Sequence, residues 1–573
     1  MSTFIIMRIP KFPVTFLSIL SAILAWYAYN RDSPQHILKG SDSEPAQRTH
    51  SLSPTPNYGQ PTDPLSASAP VTEGCEIHGG TFTTYNDQIS VGAIRGDGPL
   101  VKDTNDSGRK VLEMTTPHQA TQKLRKHEQS LLLRRGWGMV RYDVVQLPSN
   151  DPIEDDHAEK MVEVPDTVAA TDGPSSSDWM FWGVFDGHSG WTTSAKLRQA
   201  LISFVIKELS KTYKDALSNT TSPFPSPAAV DEALKSAFVT LDNEICLDSV
   251  RKLNENPTRQ FAAEILAPAL SGSCALLSFY DSQSKTLRIA CTGDSRAVLG
   301  RRNPQTGKWY ASPLSEEQTG SNPKEEARVR AEHPGEDYVI RAGRVFGTLE
   351  PTRAFGDASY KWTRKTQARI KKHFFGRTPS QLLKSPPYVT AEPIITRTRI
   401  EPSQRDFLVI ATDGLWRLLT NDEVVDLVGQ WIVEQEKTAS NAQDGAPAWP
   451  RSWLASSSRL GAVPVGPVEK SHHGNKPVGA QHIFDESQNQ NRFVVEDRNA
   501  ATHLVRNALG GKDTDMVCGL LTLPSPYSRR YRDDLTVEVI FFGEGEDGES
   551  VDVNVEAAAQ VPGKGIADLK AKL

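Results

Sequence analysis

The sequence predicts an α+β fold in which helices cover β-sheet, and three observations carry that expectation. Short apolar runs recur at residues 179–185, 273–280, 407–412 and 535–542, each bounded by turn residues. Longer segments with helical periodicity, near 191–213 and 227–249, lie between them. Acids sit at the tips of the apolar runs: Glu154-Asp155, Asp186, Asp413 and Asp533-Asp534.

From the N-terminus, residues 1–31 carry Arg8, Lys11 and Arg31 and no acid before Asp32. An apolar run at 16–29 follows the basic start, and 13–29 approaches the roughly 20 residues of a membrane span, with Trp26, Tyr27 and Tyr29 grouped as interfacial aromatics are. A secretory signal, a plain signal anchor and a mitochondrial presequence joined to a membrane segment at about 13–29 all fit this pattern, and the last is favoured. Residues 32–75 are rich in Ser, Pro, Thr and Gln, and the whole of 32–115 is expected to be a low-complexity linker. The folded domain is expected at 116–545. Thr116-Pro117 opens a helix expected to run through Leu133, and 137–147 reads as a strand. Residues 157–177 read as a polar excursion, and the continuous run at 179–185 as a central strand. After the two helices come strands at 273–280, 286–291 and 295–300, then those at 407–412 and 535–542. The Ser-, Gly-, Pro-, Asn- and His-rich stretch 437–492 interrupts the pattern as a flexible insertion. A tail, 546–573, ends in Ala571-Lys572-Leu573, which resembles a peroxisomal address and implies an import receptor as partner.

With 64 basic and 70 acidic residues the chain presents no net basic field, so nucleic acid is not an expected partner. Its five cysteines are scattered without a C-x-x-C pair, which argues against a disulfide framework and a zinc knuckle.

The acid tips carry the chemistry. A carboxylate at the end of a buried run costs several kcal/mol unless solvated, paired or metal-bound. Distant segments that converge their acids point to hard divalent cations. In Asp186-Gly187-His188 the glycine lets a carbonyl approach an ion closely, and the aspartate can bridge two.

Seven segments then resemble the metal-dependent type 2C serine/threonine protein phosphatases. They are Pro152-Ile153-Glu154-Asp155, Val184-Phe185-Asp186-Gly187-His188-Ser189-Gly190, Ser271-Gly272-Ser273, Thr292-Gly293-Asp294-Ser295-Arg296, Arg353-Ala354-Phe355-Gly356-Asp357, Ala411-Thr412-Asp413-Gly414-Leu415-Trp416 and Tyr531-Arg532-Asp533-Asp534. They occur in the family's order. Within it the chain is most similar to the pyruvate dehydrogenase phosphatase branch, through Gln146-Leu147-Pro148-Ser149-Asn150, Ala358-Ser359-Tyr360-Lys361-Trp362 and the segment from Glu496 to Leu504.

The resemblance implies two antiparallel sheets stacked face to face with helices outside. It implies two Mg²⁺ or Mn²⁺ ions held by Asp186, the Gly187 carbonyl, Asp413, Asp533, Glu154 and Asp155, with Asp294 at a weaker third site. His188 would protonate the departing serine oxygen. Two positions depart from the wider family pattern. Asn150 stands where an arginine usually grips phosphate, as it does in the pyruvate dehydrogenase branch, and Arg417 stands where an acid helps hold a third ion. A guanidinium there repels a metal, which puts a third ion in doubt, and could itself contact phosphate. The implied activity is hydrolysis of phosphoserine and phosphothreonine in proteins, with the E1α subunit of pyruvate dehydrogenase as the expected substrate and the mitochondrion as the expected location. The alternative is an inactive phosphoprotein-binding scaffold, which has no need of Asp186, Asp413 and Asp533 together.

Overall fold

The computed structural model describes residues 81–85, 88–91, 110–135, 138–165, 176–218, 224–441, 492–544 and 550–559. The expected presequence and membrane segment, most of the 437–492 insertion and the Ala571-Lys572-Leu573 end lie outside the described residues. Among the described residues no helix is long and apolar enough to cross a membrane.

Inside the stretch expected as linker, β1 (Thr81–Tyr85), β2 (Gln88–Val91) and β3 (Lys110–Glu113) pair antiparallel in the order β2-β1-β3. Thr116 then caps α1 (Pro117–Arg125). Its side chain accepts from the Gln119 N–H, the Gln119 side chain accepts from the Thr116 N–H, and Pro117 needs no donor of its own at that position. The helix stops at Arg125 and does not reach Leu133 as expected. Residues 129–135 form β4 (Gln129–Arg135) instead. Three consecutive leucines fit a buried strand as readily as a helix, and pairing with β5 (Gly138–Leu147) decides between them.

The polar excursion expected at 157–177 is a correction of the same kind. Asp156–Pro165 is a ten-residue strand, β6, paired along its length with β7 (Ser176–Phe185). It is an edge strand, where charged side chains are tolerated and period-2 hydrophobicity is weak. After the two-residue β8 (Gly187–His188) come α2 (Thr192–Leu217), α3 (Pro227–Asn243), α4 (Ser249–Glu255) and α5 (Arg259–Leu270). Next are β9 (Gly272–Ser273), β10 (Ala275–Asp281), β11 (Thr286–Thr292), β12 (Arg296–Arg302) and β13 (Trp309–Pro313). A satellite unit follows, with α6 (Pro323–Glu332), β14 (Ile340–Arg341) and β15 (Arg344–Val345) around a core that includes Val329, Ile340, Val345 and Tyr388, while β16 (Phe355–Gly356) and α7 (Arg364–His373) join the core under the first sheet's helices through Phe355 and Ile370. The chain returns through β17 (Ile394–Arg399), β18 (Phe407–Ala411), α8 (Asp413–Trp416) and α9 (Asn421–Asn441). Beyond the insertion lie α10 (Ala500–Ala508), α11 (Thr514–Thr522), β19 (Leu535–Gly543) and β20 (Ser550–Val553).

Two antiparallel sheets result, as expected. One has the order β17-β11-β10-β7-β6 and the other β13-β12-β18-β19-β5-β4-β20. Between them pack Leu133, Tyr142, Trp182, Leu276, Ile410 and Phe542. Helices α2, α3 and α5 cover the outer face of the first sheet, and α9, α10 and α11 that of the second. The segment expected as a tail contributes an edge strand, because β20 pairs with β4 from Ser550 to Val553. The register places the C-terminal ends of β7 and β18 and the N-terminal ends of β6 and β19 at one end of the sandwich. All four acid tips sit there.

Candidate active site

Each acid is delivered by a strand end and fixed by its neighbours. Asp155 precedes β6, is buried, and takes hydrogen bonds on Oδ2 from the hydroxyls of Thr412 and Thr536, both at 2.9 Å. Asp186 leaves β7 and accepts from the Asp413 N–H at 3.3 Å. Asp186, Asp294 and Asp413 each present an oxygen within 4.8 Å of the others. Cys274 donates its thiol to Asp294 Oδ1 at 3.1 Å.

Charges this close and this buried oppose one another. Burial first, then Asp413, Asp155 and Asp294, push the Asp186 carboxyl well above its ordinary range. Burial and the Asp534 charge do the same to Asp155. Asp294 is pushed up to about 7, by burial and then by Asp413. Asp413 is raised by burial, against the pull of Arg417. A site that holds acids against their own repulsion suits a hard cation with oxygen ligands.

Gly187 brings the backbone in close. A Cβ on it would lie 2.0 Å from the Glu154 carbonyl oxygen, so only glycine lets the Asp186-Gly187 corner pass against the acidic loop. Glu154 accepts on Oε1 from the Gly190 N–H at 2.5 Å and on Oε2 from Asn150 Nδ2 at 3.0 Å. Asn150 Nδ2 also donates to Asp534 Oδ2 at 3.2 Å. The Asn150 amide thus helps to hold the acidic loop.

Asp533 lies beside Asp413 through one intermediary. The Arg417 guanidinium donates to Asp533 Oδ2 at 3.1 Å and pairs closely with Asp413 Oδ2. Asp533 also pairs with Arg529. The sequence-predicted ligands thus reach one place, with Arg417 set between two of them.

His188 is positioned by the small sheet β16-β9-β8. Its Nε2 lies 2.6 Å from Asp357 Oδ2. Gly272, opposite His188 in that sheet, leaves the room for this contact, since a Cβ there would be 2.2 Å from the imidazole and 2.3 Å from the carboxylate. Burial alone would lower the His188 pKa. Asp357, with Asp294 and Glu154, outweighs burial and raises it.

The geometry matches what is found by comparison. The family profile of protein phosphatase 2C matches residues 153–448. The chain belongs to the protein phosphatase 2C family. This phosphatase is 41% identical over 425 residues to a protein phosphatase 2C homolog of Schizosaccharomyces pombe, covering 74% of this chain and 85% of the relative. It is 40% identical over 454 residues to the mitochondrial pyruvate dehydrogenase (acetyl-transferring) phosphatase 1 of Saccharomyces cerevisiae, covering 76% of each. The human protein of that name is 30% identical over 495 residues, covering 74% of this chain and 83% of the relative. The chain is a protein serine/threonine phosphatase of an Mg²⁺/Mn²⁺-dependent family.

Sequence reasoning missed three roles in this phosphatase. Asp357 was visible as the acid closing Arg353-Ala354-Phe355-Gly356-Asp357, but its pairing with His188 depends on two-residue strands too short to read. Asp534 stands next to an expected ligand yet acts as a clamp. Its carboxylate accepts from the Ser149 N–H and hydroxyl, the Asn150 N–H and amide, and the Glu154 N–H, at 2.5–3.2 Å. Thr412 and Thr536, which hold Asp155, carry no signal beyond flanking the acids.

Proposed function

We propose that this phosphatase hydrolyses phosphoserine and phosphothreonine with two Mg²⁺ or Mn²⁺ ions held by Asp186, Asp413, Asp533, Asp155, Glu154 and the Gly187 carbonyl. The observation that carries the reading is the trio Asp186, Asp294 and Asp413, of which Asp294 is buried and the other two partly so, three carboxyls within reach of one ion. Such ions supply a deprotonated water for in-line attack and neutralise the phosphoryl oxygens.

The chain's own residues do the rest. Asp357 holds the His188 imidazole by Nε2, which leaves the Nδ1–H of the protonated ring as its second donor. A pKa raised by Asp357 favours the protonated ring, whose proton is then available to the departing seryl oxygen. Arg417, about half exposed, balances Asp413 and Asp533; with cations held by those carboxylates, its guanidinium would be free to fork onto the substrate phosphate. Beside Asp357 a cavity of about 210 Å³, lined by Ser189, Leu270, Thr348, Tyr360, Trp362 and Arg377, receives residues that flank the phosphorylated side chain.

The likeness to enzymes named for pyruvate dehydrogenase supports phosphorylated E1α as substrate and the mitochondrion as location, reached by residues 1–31. The test is phosphate release from an E1α phosphopeptide and from unrelated phosphopeptides, with and without chelator. Metal-dependent release that is lost in Asp186→Asn and faster on E1α supports the proposal. Activity in chelator overturns the metal reading, and equal rates on all peptides overturn the substrate. For Arg417→Ala the KM for phosphopeptide rises with little change in kcat, and an unchanged KM removes Arg417 from phosphate binding. For location, a fluorescent protein in an internal loop reports mitochondria; accumulation in peroxisomes contradicts the proposal.

A further inference from the structure

A second cluster of ionisable groups lies deeper in the sandwich, and hydrolysis makes no use of it. Along β6 the alternation that buries Asp155 also turns His157, Glu159 and Met161 toward the other sheet, while Ala158, Val162 and Val164 pack against the helices. Along β19 the same period places Glu538 on the face that carries Ile540 and Phe542. Aliphatic and aromatic residues occupy most of this layer, and the strand neighbours of the cluster are Val144 opposite Glu538, Val184 opposite His157 and Trp182 opposite Glu159.

Glu538 is 0% exposed, neither of its carboxylate oxygens receives a hydrogen bond from a donor group, and the Glu159 carboxyl lies against it. A buried carboxylate without a donor is among the costliest arrangements a core can hold. Among the described residues the one basic group in ion-pairing range is His157, whose Nδ1 lies 3.9 Å from Glu538 Oε1. The same Nδ1 contacts Glu159 Oε1. One imidazole faces two acids.

We propose that His157, Glu159 and Glu538 form a second metal site, which takes a Zn²⁺-class transition-metal ion between the two sheets. One nitrogen and two carboxylate oxygens, all within 4.8 Å of one another, need shifts of about 1 Å to close on the roughly 3.4 Å edges of a tetrahedral site with bonds near 2.1 Å. The imidazole sets the class of ion, because Mg²⁺ prefers oxygen and water whereas Zn²⁺ accepts a mixed nitrogen and oxygen set. The oxygen donors at the cleft have the opposite preference. An ion enters from the side, since β6 is the edge of its sheet and the His157 side chain is 10% exposed. Once bound it ties β6 to β19, the two strands whose starts carry Asp155 and Asp533.

The test uses the full chain, stripped with chelator, then given Zn²⁺ in an excess of Mg²⁺ that fills the oxygen-rich cleft. Metal content after gel filtration counts the retained zinc, and X-ray absorption at the zinc edge reads its ligands. The proposal predicts one zinc retained per chain with imidazole scattering, kept in Asp186→Asn. It predicts at least about tenfold weaker binding in both Glu538→Gln and Glu159→Gln, the second variant carrying the test if the first fails to fold. Three results overturn it: no zinc retained by the wild type in excess Mg²⁺, zinc without an imidazole signature, or zinc lost in Asp186→Asn but kept in Glu538→Gln. The cluster is then a pair of carboxyls sharing one proton.

Discussion

At the scale of single residues, the proposed mechanism divides the labour of proton transfer between His188 and Asp357. His188→Gln lowers kcat on a phosphopeptide about 100-fold but has far less effect on p-nitrophenyl phosphate, whose leaving group departs without a proton. Equal losses on both substrates would remove His188 from that role. Asp357→Asn withdraws the charge that raises the His188 pKa, so the alkaline limb of the kcat profile moves to lower pH. The acids give a second residue-scale prediction. Asp294 titrates at about 7 in the folded chain against an ordinary value of 3.8. Between those pH values the native state holds more protons than the unfolded one, so stability falls as pH rises through that window. In chelator the Tm is therefore lower at pH 7.5 than at pH 6, and Mn²⁺ raises it more at the higher pH, where fewer protons compete. A metal-induced shift that does not grow with pH contradicts this electrostatic account.

At the scale of elements, short connections position the chemistry. Asp534 gathers five donors from residues 149–154, so Asp534→Ala leaves buried donors unpaired and costs about 3 kcal/mol or more, read as a lower Tm with weaker Mn²⁺ binding. Gly272→Ala pushes into both His188 and Asp357, and lowers kcat while Mn²⁺ affinity stays near wild type. Elements differed in how far they could be read from sequence. Strands buried on both faces, such as β7 and β19, were legible because long apolar runs dominate them, with Thr536 and Glu538 the only polar side chains within β19. The boundary between α1 and β4 was not, since three leucines satisfy either periodicity until β5 pairs with them. Edge strand β6 was hidden by its charges, and the same charges form its inward-facing His-Glu pair. The acid tips were legible because a carboxylate after an apolar run has few other uses. Their supporting shell of Thr412, Thr536, Asp534 and Asp357 was not, because it is assembled by register.

At the scale of the whole molecule, the fold is a device for bringing residues almost 380 positions apart to one end of a sandwich. Its closure extends past the expected domain end. The β20 ladder on β4 is backed by Asn499 Nδ2 donating to the Ala557 carbonyl at 2.9 Å and by the Ala559 N–H donating to the Glu128 carbonyl at 2.9 Å. A chain ending at Gly543 loses this edge and about 2 kcal/mol or more. It melts lower than the full chain, and an equal Tm would show β20 to be dispensable. The central claim is that convergence of the acids creates a centre for divalent cations. Anomalous diffraction from crystals soaked in Mn²⁺ tests it most directly. The account predicts manganese peaks beside Asp186, Asp413 and Asp533, with Arg417 turned away from the carboxylates it pairs with here. A soaked crystal with no peak among those side chains, and Arg417 still bridging Asp413 and Asp533, would contradict it.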